Sequence, residues 1–417
     1  MSWVARMVVT IAIILGISTP TAAQEPRPEE PAGESLQVFL MTMGPGASVY
    51  ERYGHNAIWI RDAVTGSDLV YNYGTFDFAA PGFVMNFVKG RPRYWLGVSD
   101  LDWTLRQYTH AQRDVAVQEL NLPAADRAEL ARWLAHNALP ENRVYTYDYF
   151  LDNCSTRVRD ALDHVLHGAL QAATAGREAE GNFRFHTQRS LTNDVLMYTG
   201  IMLGQGPRTD RPIDRWEEMF LPAKVQERVR ELNVSGPGGT MVPLVASERI
   251  LLEFGVYHVE SAPPAWGWKF QVVGLLVAML IATGLMRGGM QVIGRVTATL
   301  WLVVAGIGGV VLLFLWLGTD HVFSASNRNI LLMSPLAPFV VPLLWRRAGR
   351  GPSRLGALAA AGMILSVTVG ALLALAPSLG GQWNLQVMQL ATLPGIAACL
   401  VALAVSSRPA GALPPPP

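Results

Sequence analysis

Cysteine is nearly absent from this chain, with two in 417 residues, and that scarcity excludes a disulfide framework as the source of its stability. Pairing the two with each other is excluded as well. Cys154 lies in a polar run and Cys399 in an apolar stretch near the C-terminus, so a bond would have to join a thiol in water to one in lipid. Charge is scarce too: 16% of residues are charged against 50% hydrophobic, and the net charge is +1 with no block of one sign. This balance excludes a nucleic-acid footprint and is too apolar for an ordinary soluble protein, so part of the chain belongs in a membrane. Metal-type spacing is also missing. Of the eight histidines only His164 and His167 stand close together, flanking a helix end, so neither a metal nor a cofactor is expected. His110, His136, His164 and His186 fall in polar segments that predict exposed side chains.

The sequence does have long apolar runs. Residues 1–23 carry Arg6, an apolar run from Met7 to Ile17 and the small residues Thr21-Ala22-Ala23, the pattern of a secretory signal peptide. A Pro- and Glu-rich lead-in to residue 35 follows. Five further segments are apolar and almost free of charge: Phe270–Met286, Val296–Leu317, Ile330–Trp345, Leu355–Ala376 and Val387–Val405. Each is close to the ~20 residues that cross a bilayer as a helix. Arg287 and Arg295 separate the first two, and Arg346, Arg347, Arg350 and Arg354 separate the third and fourth. Positive loops stay in the cytoplasm, so everything before Lys269 lies outside, in agreement with the signal peptide. The expected divisions are a signal peptide (1–23), a lead-in (24–35), an exported domain (36–262), five membrane helices (263–405) and a cytoplasmic tail (406–417). The outer loop after the second span is polar for its length, with Asp320, His321, Ser324, Asn327, Arg328 and Asn329. It reads either as helix-capping solvated residues or as a head-group or substrate contact.

Cys154 therefore falls in the exported domain, where a free thiol is either incidental or chemical. Val158, Leu162, Val165 and Leu166 trace one helical face behind it, and Asp152 or Asn153 suits the cap. Cys154 is thus predicted in a first helical turn, where free amides and the helix dipole favour a thiolate and can hold an oxyanion. His55, in Tyr53-Gly54-His55-Asn56-Ala57, is the candidate base, although a histidine opening a strand is more often structural. Leu36–Met43 and His55–Arg61 read as strands. The turn-rich stretch 62–68 makes the second a hairpin with Leu69–Tyr73, which brings Asn72 near His55. Pro123–Leu139 reads as a helix. Tyr145, Tyr147 and Tyr149 alternate as one face of a strand, for packing or for substrate stacking.

With those residues assembled, the chain resembles the Lnb-type bacterial lipoprotein N-acyltransferases over nearly its whole mature length. The resemblance rests on Tyr53 to Ala57, Tyr71-Asn72-Tyr73-Gly74 with Phe76-Asp77-Phe78, and Tyr147 to Phe150. It continues through Asp152-Asn153-Cys154-Ser155-Thr156-Arg157, Glu218 to Pro222 and Thr319 to Asn329. It implies an α+β exported domain of permuted papain-like, NlpC-like form, an antiparallel sheet packed on a cysteine-bearing helix, followed by an all-α five-helix transmembrane domain. More distantly it is similar to lecithin:retinol acyltransferase, in which the histidine strand also precedes the cysteine helix. The implied activity moves an acyl chain from a phospholipid through a Cys154 thioester to the N-terminal amine of a diacylated apolipoprotein, in the bacterial inner membrane with the first domain in the periplasm. Cys154 and His55 carry the reaction, and Asn72 orients the imidazole, with Asp77 a rival for that place. Asn153, Tyr73, Asp320, His321, Asn327 and Asn329 are the expected substrate contacts. A membrane-anchored cysteine amidase or peptidase acting on cell-wall peptide is the alternative enzyme, and a non-catalytic membrane sensor or scaffold the alternative outside enzymes. Five membrane helices are more than a cell-wall hydrolase needs.

Overall fold

The computed structural model describes residues 33–235, 240–376 and 381–409. The expected signal peptide lies outside these residues, as do nearly all of the lead-in and most of the tail.

An antiparallel sheet of seven strands organises the exported domain. β1 (Leu36–Met43), β2 (His55–Asp62), β3 (Ser67–Thr75), β4 (Arg93–Asp100), β5 (Val115–Leu120) and β6 (Val144–Thr146) belong to it. The short pair β7 (Asn233–Ser235) and β8 (Met241–Pro243) stands apart, and β9 (Val245–Leu252) returns to close the order β6-β4-β3-β2-β1-β5-β9. Alternation along each strand sends its two sets of side chains to different cores. Val38, Leu40, Ile58 and Tyr71 face the cysteine helix, Cys154–Val165, with Val158 and Leu162 packed against them. Phe39, Met41, Trp59 and Val70 face the opposite way, onto the helix Leu101–His110. Each of these fully buried aliphatic side chains contributes roughly 1.5–3 kcal/mol.

The predicted strands and the helix behind Cys154 stand where the residue pattern put them. The tyrosine segment does not. β6 stops at Thr146, because the Asp148 carboxylate accepts from the Phe150 and Leu151 amides, both at 2.9 Å, and turns the chain. Tyr149 therefore leaves the sheet, while Tyr147 lies just past the strand end with its amide donating to the Pro92 carbonyl at 3.0 Å.

Among the described residues, four helices are long and apolar enough to span a bilayer: Gly267–Leu285, Gly289–Leu317, Arg354–Leu375 and Leu385–Ser406. The third expected crossing, 330–345, is instead a series of short turns, Arg328–Leu331, Ala337–Phe339 and Val341–Leu344. Pro335, Pro338 and Pro342 remove the amides that a continuous helix would use. The segment still runs the depth of the bundle. Leu331 and Leu332 sit against Gly370, Leu343 against Gly356, and the step from Gly356 to Gly370 covers about 21 Å of helix. Leu332, Val340, Leu343 and Leu344 are at most 1% exposed, and Gly306 and Gly309 let Pro338 and Pro335 approach closely. Broken backbone at this depth is tolerated because protein and not lipid surrounds it.

Several contacts seat the exported domain on one end of the bundle: Phe323 packs against Phe150 and Phe183 while its carbonyl accepts from the Gly206 amide at 2.6 Å, and two further points add to this. At the first, Asp320 N–H donates to the Lys89 carbonyl at 2.9 Å. At the second, buried amides form a clasp. Asn329 Nδ2 donates to the Met202 and Leu203 carbonyls at 3.1 and 2.8 Å, Asn327 Nδ2 to Leu203 at 2.8 Å, and Gln382 Nε2 to Gln205 at 2.7 Å. At the other end, the Arg408 guanidinium donates to the Leu285 carbonyl, and the Gly349 amide to the Arg408 carbonyl, both at 2.8 Å. The arginine-rich connections thus lie opposite the exported domain, as the positive-inside rule requires.

Candidate active site

Cys154 opens its helix, and Asn153 is the cap. Asn153 Oδ1 accepts from the Ser155 and Thr156 amides, both at 2.9 Å, and Thr156 Oγ1 accepts in return from the Asn153 amide at 2.8 Å. Asp152, the other candidate cap, instead clamps Arg157, with Nη2 to Oδ2 at 2.6 Å. With Ser155 and Thr156 capped by Asn153, and the Arg157 amide bonded to the Asn153 carbonyl, the positive end of the helix dipole lies beside the sulfur.

His55 begins β2, and the β2–β3 hairpin brings Asn72 beside it. His55 Nε2–H donates to Asn72 Oδ1 at 2.5 Å. An amide oxygen only accepts, so this contact fixes the proton on Nε2 and leaves Nδ1 as the basic nitrogen. The imidazole and the Cys154 thiol also hydrogen-bond to each other. Gly74 makes that approach possible. It sits in the β3 bulge between Asn72 and Thr75 at φ +91°, and a Cβ there would lie 3.2 Å from Cys154 Cβ and 3.7 Å from His55 Cε1.

Burial pushes the Cys154 thiol up, but the charge and hydrogen bond of His55, with the Asn56 backbone amide and the Ser155 hydroxyl, outweigh it and leave the pKa below the ordinary value. Burial likewise pushes His55 down, and the charge of Cys154 with the hydrogen bonds of Cys154 and Asn72 outweighs it and leaves that pKa raised. Both shifts favour a thiolate–imidazolium pair. Tyr94, Tyr145 and Tyr147 stand around the sulfur. Burial, and then the charge of Cys154, raises all three, Tyr94 to about 12, so they remain neutral phenols. The Tyr145 hydroxyl is buried with no hydrogen-bond partner among the described residues.

The structure brings Cys154, His55 and Asn72 together. Asp77 is exposed and caps its own turn through the Ala79 amide at 2.8 Å. The expected substrate contacts are distributed differently. Asn153 has no polar group to spare, because its Nδ2 donates to the Tyr149 and Phe220 carbonyls, both at 2.9 Å. Tyr73 is 4% exposed, and its hydroxyl bonds to Trp133 behind the cysteine helix. Asn327 and Asn329 are buried in the clasp. These four are corrected to supporting roles, since each side chain is consumed by the fold. Asp320 and His321 do reach the surface, but beside the short helix Phe83–Val88, where Asp320 pairs with Arg91 and His321 Nε2 meets the Phe87 carbonyl at 3.0 Å.

His186 also departs from expectation. It is fully buried and faces Glu218 Oε1 at 3.1 Å, because its helix Phe183–Ser190 packs Phe183 and Thr187 inward. His164 and His167 lie on the surface against Glu129 and Asp126, each at 3.3 Å. The aromatic lining of the site was legible only as tyrosines at alternate positions. The parts contributed by Phe76, Phe83 and Tyr94 depend on tertiary contacts that no local pattern carries.

An antiparallel sheet carrying the histidine, a cysteine-headed helix and a multi-pass helical domain define a membrane protein whose exported domain holds a Cys-His-Asn set. Residues 28–194 match the family model of the Lnb N-terminal periplasmic domain, and residues 269–407 that of the Lnb transmembrane domain. The chain belongs to the Lnb family and has the architecture of an Lnb-type lipoprotein N-acyltransferase. No curated protein and no solved structure matches it.

Replacing Asn72 by alanine is expected to slow any reaction of Cys154 about tenfold while leaving the fold intact, because a partner that orients a ring is removed and the ring stays. Steady-state rates with unchanged thermal unfolding would check this; an unaltered rate would remove Asn72 from the site.

Proposed function

We propose that this protein is a thiol-dependent lipoprotein N-acyltransferase of the bacterial inner membrane, exported by residues 1–23 and working in the periplasm. The observation that carries this reading is the Cys154 thiol at a helix start, hydrogen-bonded to His55, in a domain seated on a membrane bundle. In the first half-reaction the thiolate attacks an ester carbonyl of a phospholipid. A C–S bond forms and the ester C–O bond breaks, and His55 gives its proton to the departing lysophospholipid oxygen. The Cys154 amide, the Asn56 amide and the unpaired Tyr145 phenol are the donors available for the intermediate's oxyanion. In the second half-reaction the α-amine of a diacylglyceryl-modified N-terminal cysteine attacks the thioester. A C–N bond forms, the C–S bond breaks, and His55 takes the amine's proton. Aromatic walls keep water from the thioester, which favours transfer to an amine over hydrolysis.

The test is to reconstitute the protein with a phospholipid of defined chains and examine Cys154 by mass spectrometry. An acyl adduct on Cys154 that disappears when a diacylated lipopeptide is added, with matching N-acylation of the peptide, is the expected result. N-acylation that survives Cys154→Ser at the full rate, with no adduct, would overturn the reading.

A further inference from the structure

Resting on that reading, we infer that the short helix Phe83–Val88 dips into the outer leaflet and that the aromatic ladder behind it delivers the donor acyl chain to Cys154. Four of the six residues in this helix are apolar and exposed: Val84 at 65%, Met85 at 57%, Phe87 at 40% and Val88 at 39%. A soluble surface has no use for such a turn. Its position supplies the occupant. The apolar helix Gly289–Leu317 ends at Leu317, which is 72% exposed, and three residues later Asp320 is already bonded to Lys89 and paired with Arg91. Three residues of chain reach at most about 10 Å, so the helix lies at the level where hydrocarbon gives way to head groups. Close contact confirms the seating, because a Cβ on Gly90 would meet the His321 backbone nitrogen at 2.7 Å. Lys89, Arg91 and Arg93 follow the apolar turn and are exposed, the order of an interfacial helix whose basic end meets lipid phosphates.

The patch continues inward. Phe83 is 5% exposed, its ring 6.1 Å from that of Tyr94, and Phe76 lies 4.8 Å from Tyr94. Tyr94 stacks on Tyr147 at 4.3 Å, and both phenols feel the charge of the Cys154 sulfur. A continuous cluster of packed aromatic rings thus runs from the leaflet to the nucleophile, an apolar surface suited to a fatty chain that parts it.

Two measurements on the full chain in phospholipid nanodiscs test this. In a Cys154→Ser, Cys399→Ala background, a spin label on Met85→Cys is expected to be relaxed by oxygen and shielded from a nickel chelate, while one on Val64→Cys, in the 66% exposed β2–β3 loop, shows the reverse. With the native cysteines present, Val84→Asp combined with Met85→Asp is expected to slow Cys154 acylation by bilayer phospholipid at least tenfold more than acylation by water-soluble p-nitrophenyl acetate. A label at 85 as nickel-accessible as that at 64, or equal slowing with both donors, would overturn the inference. Failure of the unmutated protein to form an adduct with either donor would instead overturn the thiol mechanism, while the label at 85 still decides whether the helix enters lipid.

Discussion

Alanine at position 55 is expected to slow acylation of Cys154 on the order of 10³-fold, the usual size of the loss when a nucleophile is deprived of its base. The expectation follows from the opposing causes acting on the sulfur. Burial is the largest and raises the thiol pKa; the charge and hydrogen bond of His55 are what bring it below the ordinary 9.0. Without the imidazole those two lowering causes are lost and the thiol pKa moves up. The rate of Cys154 alkylation by iodoacetamide should therefore rise through a higher thiol pKa in His55→Ala than in the unmutated protein. The turnover profile should be bell-shaped. Its acid limb falls as pH drops through the lowered Cys154 pKa and the thiolate is lost. Its alkaline limb lies above 6.5, because the raised His55 pKa keeps the proton needed by the leaving lysophospholipid. Identical alkylation profiles in the two proteins would show that the pair does not form.

The second large effect is expected from Gly74→Ala, although no atom of Gly74 takes part in the chemistry. Two causes combine. A φ of +91° is strained for any residue with a Cβ, at a cost of about 1–2 kcal/mol. The new methyl would also press on Cys154 Cβ at 3.2 Å, tighter than ordinary van der Waals contact, and crowd His55 Cε1 at 3.7 Å. The sulfur and the ring would have to separate by a few tenths of an ångström, and misplacement approaching 1 Å costs about 10²-fold. The variant should unfold at a modestly lower temperature and acylate about a hundredfold more slowly, with substrate affinity little altered. Stability and rate equal to those of the unmutated protein would show that the bulge relaxes without disturbing the pair.

The contrast between Gly74 and Asn72 marks how far the sequence could be read. Period-two alternation located β1, β2 and β3, and the short turn between the latter two was enough to bring Asn72 to His55, because hairpin register is a local property. The cysteine helix was legible for the same reason: cap, apolar face and first turn lie within a dozen residues. Long-range consequences were not legible. Nothing near Asn327 or Asn329 announces that their amides will be used by the carbonyls of Met202 and Leu203, more than 120 positions away. His186 looked polar and exposed because its partner Glu218 is 32 positions downstream. In the membrane domain, hydropathy marked 330–345 as apolar, whereas the prolines that break it into short turns depend for their effect on shielding by neighbouring helices.

The buried amides joining Gln205, Leu203 and Met202 to the outer loops, the Phe323 ring and the Lys89–Asp320 contact bolt the exported lobe to its base at separate points. A lobe so mounted is held in one orientation over the bundle. In the proposed reaction, donor and acceptor then call in turn at a single berth, and the spent lysophospholipid clears it before the lipoprotein docks.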